Sequence, residues 1–171
     1  MSKVIRIERC VGSLYVIDAS SSAEISTEYP FMIPKRHCLA KSALAVDELW
    51  YLTRHLRAWS SCFDDEVDAA RFEEASREHN VLLCAYAHLS EQWFLRHAGM
   101  FGAHYIAYDK SRADHSVSVV RVLHSAQEDA YSQENAIAFC RTARSVRKVP
   151  LLCVVGTNGT CTVLEHDRSP R

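Results

Sequence analysis

FGAHYIAYDKSRADHSVSVVRV, residues 101–122, is the stretch on which the reading of this chain turns. His104 to Tyr108 reads as a short strand. His115 to Leu123 alternates polar with apolar as far as Val119 and then becomes solidly β-branched, which predicts a second strand with one covered face. Six polar-loop residues, Asp109 to Asp114, separate the two, so Tyr108 ends one strand and His115 begins the next. Further on, RTARSVRKVPLLCVV at 141–155 sets Lys148 between a helix and another apolar strand. A phenol, an imidazole and an ammonium therefore fall at the ends of elements, where they can share one rim of a sheet. As proton acceptor, proton donor and fixed cation they suit displacement at a phosphodiester.

Outward from this centre, residues 132–146 suit a helix: Ser132 is an N-cap, Ile137, Ala138 and Phe139 supply apolar surface, and arginines near the end complement the helix dipole. Pro150 is expected to stop it. Leu151 to Val155 and Cys161 to Leu164 predict strands around Gly156-Thr-Asn-Gly-Thr, whose Asn-Gly step signals a hairpin. Upstream, Trp93-Phe94-Leu95 reads as a strand and Gly99 to Gly102 as a turn. A helical tract should run from about residue 64 through Phe72 and Ala75 to Leu82, Leu83, Tyr86 and Leu89, with a domain boundary near Asn80. Before it, Ser42 caps an expected helix over 42–59 carrying Leu44, Leu49, Leu52 and Leu56, and Pro30 and Pro34 punctuate an irregular stretch. VIRIER and SLYVID flank Cys-Val-Gly as an opening hairpin. The expected fold is α+β: a small mixed N-terminal domain over 1–80 and, over 81–171, a domain with a mixed sheet flanked by helices.

Composition narrows the function. With 171 residues, 48% of them hydrophobic, the chain can bury a core, and a net charge of −1 argues against coating nucleic acid over its whole surface. Charge is local instead: Arg141, Arg144, Arg147 and Lys148 fall within eight residues, while acids gather at Asp64, Asp65, Glu66, Asp68, Glu73 and Glu74. No basic, apolar leader opens the sequence and no apolar run approaches the ~20 residues that span a bilayer, so a nuclear or cytoplasmic protein is expected, neither secreted nor membrane-bound. Seven cysteines, mostly in apolar stretches, read as buried reduced thiols. No Cys-x-x-Cys or His-Glu-x-x-His spacing suggests a metal, and five glycines form no phosphate-binding loop; neither metal nor cofactor is expected.

FGAHYIAY followed by His115, then SVRK before an apolar strand, resembles the C-terminal catalytic domain of tRNA-splicing endonucleases over roughly residues 82–165. That family's pattern is matched by Phe101, Gly102, Tyr105, Tyr108, His115, Arg147 and Lys148, and Tyr86-Ala-His-Leu before Trp-Phe-Leu is similar to its lead-in helix and hairpin. The chain departs from the pattern at His104, where the family commonly has an acid, and in the loop Asp109-Lys-Ser-Arg-Ala-Asp. The N-terminal half resembles the family's small α+β domain only loosely.

The resemblance implies a catalytic subunit that cuts precursor tRNA at an intron boundary, leaving a 2′,3′-cyclic phosphate and a 5′-hydroxyl by lyase-type transesterification. Tyr108 would accept the proton of the 2′-OH, with Lys148 the candidate cation to favour its phenolate. His115 would protonate the departing 5′-oxygen, and Lys148 would stabilise the phosphorane. On a helix Arg141 would lie two turns before Lys148 on roughly the same face and could stack on a flipped base; Arg147 would contact phosphate, and Arg168 would offer a clamp arm to a neighbouring site. Singly, each residue also has an ordinary reading: Tyr108 as packing, His115 as surface polarity, Lys148 and Arg141 as solvated helix charges. The implied partners are other endonuclease subunits in a heterotetramer, paired through C-terminal strands. The family's tetramers insert acidic loops into opposing subunits, and since the hairpin at 156–160 carries no acid the resemblance implies that this chain receives such a loop rather than donating it. A non-catalytic, RNA-binding subunit of the same complex is the alternative.

Overall fold

A computed structural model describes residues 3–29, 42–98, 102–111, 115–127 and 131–165. The chain divides into two compact units, Met1–Tyr86 and Ala87–Arg171. The fold is α+β, with one mixed sheet in each unit.

In the first unit, strands β1 (Lys3–Val11), β2 (Leu14–Ile17), β3 (Ala43–Ala45) and β4 (Trp59–Phe63) form a sheet in the order β3-β2-β1-β4. The opening hairpin is as expected: β1 and β2 pair antiparallel, with Gly12 at φ 62° in the turn, a conformation open to glycine because it has no Cβ. Ile5 and Ile7 point inward while Val4 and Arg6 do not, the period-two pattern of a half-buried strand. Strand β4 pairs parallel to β1.

Two expectations fail here. The stretch after β2 is not simply irregular: helix α1 (Ala19–Glu28) begins there, its N-cap Asp18 accepting a hydrogen bond from the Ser21 N–H at 2.8 Å. Only Ser21 and Ile25 are buried on it, too little apolar stripe to show in a serine-rich sequence. The helix expected over 42–59 is shorter as well, because Ala43, Leu44 and Ala45 pair with β2. Helix α2 (Val46–Trp50) starts beyond them, with Glu48 reaching back to accept from the Ala45 N–H at 2.6 Å, and continues as a π-helical turn over Tyr51–His55. Helices α3 (Glu66–Glu78) and α4 (Asn80–Ser90) then realise the expected helical tract, broken at His79. Pro30 and Pro34 lie outside the described residues.

The second unit holds β5 (Trp93–His97), β6 (Tyr105–Asp109), β7 (Ser116–His124), β8 (Val149–Val155) and β9 (Cys161–Glu165), in spatial order β5-β6-β7-β8-β9. All pairs are antiparallel except β7 with β8, which helix α5 (Gln133–Ser145) connects. Parallel neighbours require such a crossover. Ser132 caps α5, accepting from the Asn135 N–H at 3.2 Å, and Phe139 and Ala143 pack on Val119 and Ile106. Pro150 does not end the helix: it is buried inside β8, opposite Val119 and one residue before the β9 ladder begins at Leu151. There its missing N–H breaks no bond to β9. Between β8 and β9 the Asn-Gly turn forms as expected, with the Gly156 N–H donating to Thr160 O at 2.7 Å.

The six described cysteines form no disulfide with one another, and only Cys140 and Cys153 among them are buried, fewer than the apolar flanks suggested. Burial pushes the Cys153 thiol up to about 12, in the manner of an inert core residue.

Candidate active site

Strand β6 runs antiparallel to β7, and β8 runs parallel to it, so the end of β6 and the starts of β7 and β8 meet on one rim. Ser116 is the meeting point. Tyr108 stands opposite it across the ladder, His115 precedes it in the chain, and the Lys148 ammonium donates to its backbone carbonyl. All three sequence candidates thus come to one place. Tyr108 and Lys148 are half-buried and His115 is exposed.

A β-bulge shapes this rim. Ala107 pairs with Ser118 but Tyr108 pairs with Ser116, which leaves Val117 as the extra residue on β7. Without it Tyr108 would face Val117, and His115 would sit one step further from the phenol. Bulges re-aim side chains in this way and gather beside active sites.

Lys148 is set by the end of α5. The Arg147 N–H donates to Arg144 O and the Lys148 N–H to Ala143 O, both at 2.9 Å, with Arg147 in the left-handed region at φ 56°. This is the two-bond Schellman closure, made here without the usual glycine. It stops the helix before Lys148, which corrects the expected geometry for Arg141. Arg141 is in the helix and Lys148 is past it, so the two do not share a helical face. Arg141, Arg144 and Arg147 are all exposed. Arg168 and Phe101 lie outside the described residues.

Sequence reading missed Arg96. Phe94 pairs with Tyr108 and Arg96 with Ile106, so Arg96 lies on the same sheet face, and its guanidinium sits 5.2 Å from the centroid of the Tyr108 ring. Its Nε is buried with no hydrogen-bond partner among the described residues. A guanidinium over an aromatic face contributes about 0.5–2 kcal/mol, depending on desolvation, and holds the ring in place. The group stacked on the phenol is therefore Arg96, while Lys148 is engaged with Ser116. Arg96 is visible in the sequence only once the β5–β6 register is known.

His104, where the resembled family commonly has an acid, is turned inward. Its Nδ1 accepts from the Val122 N–H at 2.9 Å, which fixes the proton of the neutral ring on Nε2. Burial, with Arg121 and His97 adding positive charge, holds its pKa below the ordinary value. It pins β6 to β7 and takes no place on the rim.

In class, the C-terminal unit is an α+β endonuclease domain: residues 80–163 match the family described as tRNA intron endonuclease, catalytic C-terminal domain. The chain belongs to the tRNA intron endonuclease family, whose activity lies in tRNA splicing and processing. No curated protein matches the chain at a significant level. No helix among the described residues is long and apolar enough to cross a membrane.

Proposed function

We propose that this chain is a catalytic subunit of a tRNA-splicing endonuclease, with residues 81–171 as the nuclease domain and 1–80 as its accessory α+β domain. The observation that carries this reading is the convergence of Tyr108, His115 and Lys148 on Ser116. Tyr108 takes the proton of the ribose 2′-OH as that oxygen attacks the adjacent phosphorus. His115, as imidazolium, gives its proton to the 5′-oxygen as the P–O5′ bond breaks. Lys148 balances the charge on the non-bridging oxygens between those events. The products are a 2′,3′-cyclic phosphate and a 5′-hydroxyl. Exposed Arg141 and Arg147 contact the RNA backbone, and Arg141 stacks on a bulged base.

The chain works in a heterotetramer with other endonuclease subunits, in the nucleus or cytoplasm. Strand β9, at the edge of its sheet with Leu164 exposed, supports pairing with a partner strand. The test is cleavage of an intron-containing precursor tRNA in EDTA by the purified complex, wild type beside His115→Ala, with product ends resolved. Loss of a positioned acid should slow cleavage about 10²–10⁴-fold. Unchanged cleavage would move the chemistry to a partner and leave this chain a scaffold.

A further inference from the structure

The N-terminal unit carries a polar cleft that the cleavage chemistry does not use. Trp50, Arg54, Glu73, Ser76, Arg77 and Asn80 line a volume of about 470 Å³. Trp50 ends α2 and Arg54 lies in the π-helical turn beyond it. That turn is closed by the Leu56 N–H donating five residues back to Tyr51 O at 2.9 Å. A π turn is a rare departure from the α-helix and concentrates at functional sites. Glu73, Ser76 and Arg77, at helical spacing on one face of α3, form the opposite wall.

The lining is chemically consistent. Arg54 is ion-paired with Glu73, which holds that guanidinium in the wall. Arg77 donates through Nε to the Glu73 carbonyl at 3.3 Å and has no carboxylate partner among the described residues. The Ser76 hydroxyl is buried with no hydrogen-bond partner among the described residues. Trp50 supplies an indole, one side of which stacks on His55 with centroids 6.0 Å apart. An aromatic plane, a guanidinium with unused donors and a carboxamide form a set that takes a nucleobase and its phosphate. Arg54, Arg77 and Asn80 are exposed, so a strand can run through the cleft. A free nucleoside triphosphate fits less well, since no glycine-rich phosphate loop exists in the sequence.

We infer that this cleft binds one nucleotide of single-stranded RNA, the base against Trp50 and the phosphate on Arg77. The inference rests on the RNA substrate of the family and is independent of the roles of Tyr108, His115 and Lys148. It gives the N-terminal unit a share in holding substrate.

The experiment titrates the full chain, in EDTA, with a short oligouridylate and tracks tryptophan emission together with RNA affinity. Trp50→Leu should abolish the quenching and weaken binding roughly 5- to 150-fold, the loss typical of one stacked base. Arg77→Ala should weaken binding and flatten the salt dependence by about 0.7 in log–log slope, one phosphate contact on a single strand. Equal affinity in both variants would overturn the inference. If Trp50→Leu fails to fold, Arg77→Glu on the exposed face of α3 decides alone: weaker binding supports the site and unchanged binding overturns it. Quenching of Trp50 by an oligoglutamate peptide but not by RNA would also overturn it. Val67→Ser, on the exposed surface of α3 and outside the cleft lining, serves as the control that should leave oligouridylate binding intact, and cleavage by Tyr108→Phe is read separately because it bears only on the acid–base reading.

Discussion

Arg57 and Arg147 occupy matching places in the two units and differ in the residue that comes next. They are the non-glycine residues with positive φ among those described, at 52° and 56°. Each comes after a helical segment, and each is separated by one residue from a strand that joins its sheet in parallel, β4 beside β1 and β8 beside β7. The separating residue is exposed Ala58 in one unit and half-buried Lys148 in the other. The neighbours differ too. At the start of β7 the end of β6 brings Tyr108 alongside, whereas the pairing of β2 with β1 stops at Ile7 and never reaches Lys3, where β4 begins. One backbone device therefore exists twice, and only the copy with a third strand and a cation at the junction has the makings of an acid–base site.

The largest effect expected of this comparison tests that difference. Lys148→Ala should lower the cleavage rate about 10²–10³-fold, the usual loss on removing one group that stabilises transition-state charge. Ala58→Lys, which places the same cation at the matching junction of the other unit, should leave the rate unchanged. Single-turnover cleavage of precursor tRNA by the assembled complex measures both, and a rate that is insensitive to Lys148 would erase the proposed distinction.

Titration separates the units next. His104 in the second unit has a lowered pKa, so the folded state binds its proton less readily than the unfolded chain does. Its contribution to stability is complete above the ordinary value of 6.5 and is lost as pH falls below that value. Tyr15 in the first unit has the opposite sign: burial first, then Cys10 and Asp68, push its phenol up to about 12. Its contribution is complete below the ordinary value of 10.0 and is lost as pH rises from there. Cys153, raised for the same reason of burial, makes the second unit sensitive to alkali as well, so acid is the discriminating arm. Hydrogen exchange resolved by residue should show protection falling in β6 and β7 before β1 and β2 on acidification. His104→Asn, which keeps an acceptor for the Val122 N–H, should remove the difference.

The same contrast explains how much could be read from sequence. In the second unit consecutive strands are neighbours, and β7 and β8 are joined through α5, so the hydrophobic period, the Ser132 cap and the Asn-Gly turn were enough to mark its strands and crossover helix. In the first, β4 pairs with β1 across more than half of that unit, and the three residues of β3 look like the start of a helix until β2 is placed beside them. Local pattern carries no information about such pairings. The site divides similarly. Tyr108, His115 and Lys148 are visible as titratable groups at element ends, as is the end of α5, whereas the Val117 bulge and Arg96 depend on strand register, and the left-handed turn at Arg147 that closes α5 was hidden because no glycine marks it.

That unmarked turn yields the smallest effect and the finest comparison. A non-glycine residue in the left-handed region is strained by about 1–2 kcal/mol, and glycine relieves this while making the unfolded chain more flexible. Arg57→Gly and Arg147→Gly should therefore each raise stability by up to about 1 kcal/mol in urea denaturation. Their effects on function should part. At Arg57 the junction within its own unit has Ala58 where the other has Lys148, and cleavage should be unaffected. At Arg147 glycine preserves the Schellman bonds that place Lys148, yet removes an exposed cation proposed to meet phosphate. RNA affinity should fall, with the salt slope reduced by the share of one contact, while the rate at saturating substrate stays level. Should both variants gain stability and bind RNA equally well, arginine at 147 would serve nothing that glycine could not, and the two junctions would differ only through Lys148 and the strand beside it.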